Sequence, residues 1–297
     1  MKILGKYKKI WMIVPFILFM GIFYIYGIYY GVMNSFGYYS VTGKSFFTWD
    51  NYIRVFNDLG FMNSIIFTIK ISLIASLSAL FLSILILYLI YINIKYKYFY
   101  PKIIKKMLEA PLLVPYLIGA YAILISFMKN GVLNKFLVGM GVLSSFDKFP
   151  IMTNDKLGIG VIITYIWKSV PFILITCTPQ IERIVNKWEP LAKVYKLSNI
   201  KFYQKIVLPI IYPTLLGSFF IILSYFLVSF ETPYLLGVIN PRSLAVYIFD
   251  LYTRGGLEAR GVVMAMNVIM MVINLFLGFI IFKIVKKSSK YNGNRWE

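Results

Sequence analysis

The apolar residues of this 297-residue chain gather into six long runs, at 10–32, 61–94, 110–128, 158–180, 210–234 and 261–282. A helix needs about 20 such residues to cross the hydrocarbon core of a bilayer. An outer-membrane barrel would instead show short segments alternating apolar and polar positions. The pattern predicts an all-α, polytopic membrane protein with six transmembrane helices. The polar-leaning stretches between the runs are roughly 30 residues at most, too short to build a separate core. Residues 1–297 therefore read as a single transmembrane domain, and a soluble capture or ATP-hydrolysing module must come from other polypeptides.

Several runs carry a polar stripe. Thr68, Ser72, Ser76, Ala79 and Ser83 recur every three or four residues and share one helical face. Thr214, Ser218, Tyr225 and Ser229 do the same in the fifth run, and Asn267 and Asn274 share a face of the sixth. Such stripes line an aqueous path or let helices pack closely and hydrogen-bond. The Ser/Thr stripes favour packing, whereas the two asparagines stay open between the roles. Lys168 sits in the middle of the fourth run, where a charge is costly and faces a cavity or a partner. Pro171 frees backbone carbonyls that this lysine can meet. Lys70 is placed to snorkel, and Glu231, at the outer end of the fifth run, can pair with either lysine, meet a cationic solute or serve as an interfacial acid at a helix end. Lys168, Glu231, Asn267 and Asn274 are the candidates for a translocation path.

The segment 181–209 departs from its apolar surroundings: it carries six Lys/Arg. Ile181, Ile184, Val185, Trp188, Leu191/Ala192 and Tyr195 form an apolar face opposite Arg183, Lys187, Lys193 and Lys196. Pro190 is expected to interrupt this helix by removing the N–H that would reach the Asn186 carbonyl. Ser198 or Asn199 then caps a second short helix running to Val207, before Leu208-Pro209 opens the next span. Two short helices and a turn make a compact knob. An amphipathic element lying on lipid headgroups has the same pattern.

Composition sets the sidedness. Charged residues are 14% of the chain against 60% hydrophobic ones, and the formal net charge is +20. Nucleic acid is not needed to explain that charge. The N-terminus, the loops 95–109 and 181–209, and the tail from Lys283 hold 20 of the 31 Lys/Arg, and the three opposite segments hold nine. By the positive-inside rule both termini and the 181–209 segment are cytoplasmic, with anionic lipid as a further partner. The basic N-terminus followed by an apolar run looks like a signal peptide, but the run is long and five more follow, so it reads as a retained first helix.

With no histidine and one cysteine, Cys177, the chain offers no disulfide framework, no zinc site and no histidine proton relay. No cofactor or metal is expected, and no Ser/His/Asp set is possible. Gly43-Lys44-Ser45 looks like the end of a phosphate-binding loop, but Tyr38 stands where its first glycine belongs. Gly27 and Gly31 form a GxxxG that indicates close packing.

The 181–209 segment resembles the cytoplasmic loop of the inner-membrane permease subunits of binding-protein-dependent ABC importers, which reads approximately EEAAxxxGAS, a spacer, then LP. Glu189, Pro190, Leu191 and Ala192 occupy the EEAA positions, Lys196, Leu197 and Ser198 the GAS positions, and Leu208 and Pro209 the LP. Pro190, Leu191 and Lys196 depart from that pattern, and Lys196 replaces a glycine suited to a left-handed turn. The resemblance covers roughly 10–285 and includes IITYIWKSVPFILI and SFETPYLLG, which lean toward the branch handling polyamines and phosphonates rather than sugars. It implies a type I ABC importer permease fold and a non-catalytic subunit of an ATP-driven importer. It further implies two cytosolic ATP-binding subunits receiving the knobs, a second and different permease subunit, and an extracytoplasmic solute-binding protein. A self-sufficient secondary transporter or channel is the alternative. It would have only Lys70, Lys168 and Glu231 as coupling groups.

Overall fold

The structure, a computed structural model, describes residues 2–39, 44–96, 109–150 and 152–296. Gly43 of the Gly43-Lys44-Ser45 triplet and most of the 95–109 loop lie outside the described residues. The elements are almost entirely helical. In chain order they are α1 (Lys2–Ser35), β1 (Tyr38–Tyr39), β2 (Lys44–Ser45), α2 (Asp50–Asn57), α3 (Leu59–Tyr96), α4 (109–113), α5 (Tyr116–Phe127) and α6 (Val132–Gly139). There follow α7 (Ile159–Val194), α8 (Asn199–Phe202), a π-helical turn (Tyr203–Val207), α9 (Leu208–Val228), α10 (Glu231–Leu236), α11 (Leu244–Arg254) and α12 (Ala259–Trp296). Six segments are long and apolar enough to cross a membrane: Ile13–Ser35, Leu59–Tyr96, Tyr116–Gly139, Ile159–Val194, Asn199–Val228 and Ala259–Lys287. The chain is a multi-pass, all-helical membrane protein.

Its contacts divide it into two compact units. The first comprises Met1–Phe61 and Ile248–Val272. Here the chain leaves α1 through Gly37, whose φ of +93° and closeness to Thr48 exclude a side chain. Tyr38 and Ser45 then pair in a two-residue antiparallel bridge. Phe36 packs on Phe47, Trp49 and Tyr52, and Ser35 shares a 2.8 Å hydrogen bond with the Tyr52 hydroxyl. No residue of the apolar window of α1 is buried, and a Cβ at Gly27 or Gly31 would meet nothing within 4 Å. Among the described residues the GxxxG closes on no neighbour.

The second unit comprises Met62–Tyr247 and Ile273–Glu297. Its centre is α7, packed on α9 and α5, with α10 against α5. The rings of Tyr165 and Phe226 stack with centroids 3.9 Å apart. The Ser and Thr members of the stripes in α3 and α9 are buried or half-buried and make packing contacts, whereas Tyr225 is exposed. Thr68, Ser72, Ser76, Ala79 and Ser83 are all buried, and the Thr68 hydroxyl accepts from the Leu244 N–H at 2.7 Å. Gln180 donates to Thr214 at 2.7 Å, and Thr176 and Ser218 share a hydrogen bond at 3.1 Å, joining α7 to α9.

Three boundaries differ from the sequence reading. The third run is not one helix: the chain breaks at Val114-Pro115 and restarts at Tyr116. The fifth span ends at Val228, and Glu231 opens the separate α10. Pro190, finally, does not interrupt its helix. α7 runs unbroken to Val194 with Pro171, Pro179 and Pro190 inside it. The carbonyl that Pro190 orphans belongs to Asn186, an exposed residue, so water can replace the lost bond while the buried face of α7 holds the helix straight through.

Candidate functional site

The break in 181–209 falls at Tyr195–Ser198. Lys196 adopts φ of +49°, the left-handed conformation that a glycine would take more cheaply. The Leu197 N–H donates to the Ala192 carbonyl at 3.0 Å and the Lys196 N–H to the Lys193 carbonyl at 3.1 Å. This is the Schellman arrangement, which satisfies the last carbonyls of α7. The lysine thus keeps the turn and carries its strain. Ser198 is extended and begins α8 through its carbonyl, which accepts from the Phe202 N–H; its side chain makes no capping bond. Leu208 and Pro209 begin α9. The missing N–H of Pro209 cannot reach the Lys205 carbonyl, and the widened π turn lies directly before it.

The apolar face of this knob is split in two. Ile181, Ile184, Val185 and Ala192 are buried against the bundle. Leu191, Val194, Tyr195 and Ile200 project outward, with Val194 and Tyr195 each 77% exposed. Pro190, Lys193, Lys196, Ser198 and Lys201 are exposed around them. The tip therefore presents a compact apolar patch ringed by positive charge.

Glu189 supports the tip from beneath. It is buried, with Oε1 3.5 Å from Lys95 Nζ and Oε2 3.2 Å from Lys193 Nζ. Lys95, at the end of α3, also donates to the Asn199 side-chain carbonyl at 2.8 Å, and Asn199 donates to the Tyr96 hydroxyl at 3.0 Å. The Tyr203 hydroxyl donates to the Ile84 carbonyl at 2.7 Å. Lys95, Asn199 and Tyr203 were not among the candidates read from the sequence. A signal existed: Ile84, Tyr88, Tyr91 and Lys95 recur at helical spacing on one face of α3.

The candidates for a path are placed differently from one another. Lys168 is buried, donates to the Pro111 carbonyl at 2.5 Å and to the Val114 carbonyl, and lies 4.7 Å from the centre of the Tyr116 ring. The Pro111 carbonyl is freed by Pro115 and the Val114 carbonyl lies at the break between α4 and α5, both in another segment; neither is a carbonyl freed by Pro171 in its own helix. Glu231 is exposed in the first turn of α10, where an acid suits the helix dipole; among the described residues it makes no ion pair with Lys70 or Lys168. Asn267 is exposed and donates to the Val263 carbonyl of its own helix at 3.0 Å. Asn274 is half-buried further along α12. A cavity of about 300 Å³ between α3, α4 and α7 is lined by residues including Asn93, Glu109, Thr178 and Glu182, and by none of these four candidates. No group of three or more metal-ligating side chains occurs among the described residues.

No family model matches this chain, and no curated protein matches it. Solved structures do. One is the crystal structure of a bacterial ABC transporter involved in the import of the acidic polysaccharide alginate, with a TM-score of 0.77 at 19% identity, covering 97% of this chain and 99% of that one. Another is a bacterial alginate ABC transporter in complex with an alginate pentasaccharide-bound periplasmic protein, with a TM-score of 0.76 at 22% identity, covering 96% and 97%. At these identities the likeness speaks for architecture, and it spans essentially the whole of each chain. This chain therefore has the fold of a membrane-spanning chain of bacterial ABC importers.

Proposed function

We propose that this chain is a permease subunit of an ATP-driven ABC importer, one permease domain over its whole length, with both termini and the 181–209 knob in the cytosol. The observation that carries the reading is the knob tip. Leu191, Val194 and Tyr195, at positions within the coupling motif, and Ile200 just after it expose apolar surface on a strapped-down support in a chain with the importer fold. Exposed apolar surface of this kind marks an interaction site. The occupant is a cytosolic ATP-binding subunit, one for each of two permease subunits, the second permease being a different chain. Glu189 and Ala192, both buried, hold the tip in shape, while Leu191, Lys196 and Ser198 meet the partner. Leu208 and Pro209 set the direction in which the next span leaves.

In this scheme ATP binding draws the two knobs together and rocks the spans as rigid bodies between inward-open and outward-open forms. An extracytoplasmic solute-binding protein delivers the solute, as a periplasmic protein accompanies one of the similar structures. Glu231 is the path candidate placed to meet a cation, and Lys168 shapes the wall at Pro111–Val114. The sequence leans toward a polyamine-like solute. The similar structures concern alginate and lend that lean no support, so oligosaccharides form the second class to screen. A self-sufficient transporter would need ionisable groups free to titrate within the spans, and Lys168 is engaged by two carbonyls.

Reconstitution tests the reading. Vesicles containing the full set of subunits should accumulate solute only with ATP and the binding protein. Uptake by this chain alone, driven by an ion gradient, would overturn it.

A further inference from the structure

The knob is fastened to α3 on both sides of its turn. Tyr88, Tyr91 and Lys95 of α3 meet Tyr203, Phe202 and the Glu189/Asn199 pair respectively. The ring centroids are 5.1 Å apart for Tyr88–Tyr203 and 5.6 Å for Tyr91–Phe202. Lys95 is the member that reaches both limbs: Glu189 lies before the left-handed turn at Lys196, and Asn199 after it. The Lys95 side chain is 11% exposed, whereas Lys193, the other cation beside Glu189, is 69% exposed. An ion pair shielded from water is little screened, whereas an exposed one contributes little. The strongly held contact is therefore the one to α3.

We infer that Lys95 is a positioning residue that locks the Glu189–Asn199 knob to α3, so that a displacement of the knob is carried into that span as one rigid body. The inference rests on the importer reading for what moves the knob, but not for the existence of the lock. A chain of packed groups transmits motion only if its members stay together in both end states. Lys95, Asn199 and Tyr203 supply that continuity with three hydrogen bonds and an ion pair, none of which involves the exposed tip.

The test is a distance between two spin labels in the full assembled complex. The labels go on Leu89→Cys, exposed on α3, and Lys201→Cys, exposed on α8, with the native thiol removed by Cys177→Ser. With Lys95 intact, one narrow distance is expected, the same without nucleotide and with trapped ATP. Lys95→Met should lose the single peak and make it nucleotide-dependent, Lys95→Arg should restore it, and Asn199→Ala, which removes one limb only, should broaden it partially. A distance that shifts with ATP while Lys95 is intact overturns the inference. So does a Lys95→Met or Asn199→Ala peak as narrow as the parent's. If no ATP-binding subunit co-purifies with the wild-type chain, the importer reading is what fails, and the Lys95→Met comparison in the free chain still decides the lock.

Discussion

Lys168 donates a 2.5 Å hydrogen bond to the carbonyl of Pro111, the acceptor that the N–H of residue 115 would satisfy if that residue were not proline. One proline creates an orphaned acceptor inside the bundle, and a lysine from α7 fills it. Lys168→Met should therefore destabilise the folded chain by about 1–3 kcal/mol, since a buried acceptor is left without a partner. Adding Pro115→Ala to Lys168→Met should recover about 1 kcal/mol, because alanine restores an N–H near that carbonyl. Thermal unfolding in detergent of the two single variants and the double variant reads the difference. Strictly additive losses would sink the account.

The strain at Lys196 makes a prediction of opposite sign. Lys196→Gly removes the left-handed penalty at φ +49° and should stabilise the fold by about 0.5–1 kcal/mol, the extra unfolded-state entropy of glycine offsetting part of the gain. Lys196→Val, β-branched in the same conformation, should destabilise it. The unfolding midpoints of the two variants should move in opposite directions; movement in the same direction would mean that the turn is not held left-handed in the folded chain.

The Thr176–Ser218 and Gln180–Thr214 hydrogen bonds give the polar stripes a packing role with a modest expected size. Interhelical bonds of this type contribute about 0.6 kcal/mol each. Ser218→Ala should cost about that in unfolding and leave transport rates per folded molecule unchanged. A changed rate at unchanged stability would return Ser218 to the aqueous path.

How far the fold could be read from the chain depended on whether the constraint was external or tertiary. A run of about twenty apolar residues can be recognised without any fold, because bilayer thickness sets its length. Pro115 and Pro190 show the limit. Both are prolines in helical pattern, yet one breaks its helix and the other does not. What differs is the surroundings of the orphaned carbonyl: a lysine from another segment meets that of Pro111, and Asn186 lies on an exposed face. Within 181–209 the costly turn at Lys196 was legible, whereas the start of the segment coincides with no break, since α7 runs from Ile159 to Val194. The division of the segment's apolar face was not legible, because a 3.6-residue period shows that a stripe is apolar but not which neighbour covers it. Hence Ala192, placed with Leu191 in the sequence, is buried, and Val194 and Ile200, not singled out there, are at the tip. Lys95 could be placed on one face of α3 with Tyr88 and Tyr91, but its link to Glu189 could not, since that exists only when α3 and α7 pair.

This burial difference also separates two kinds of variant at the knob. Ala192→Arg forces a charge into the bundle and should reduce the amount of folded chain. Leu191→Asp and Tyr195→Asp alter exposed side chains and should leave folding untouched.

The most direct test of the central claim is the affinity of the detergent-solubilised chain for its ATP-binding subunit, measured for the wild type and for Tyr195→Asp at equal folded concentration. The importer account predicts a specific complex for the wild type. It predicts a loss of at least about tenfold for Tyr195→Asp, as expected when an apolar anchor in a desolvated interface becomes a charge. Binding that is equally tight for both proteins, or absent in the wild type, would contradict it.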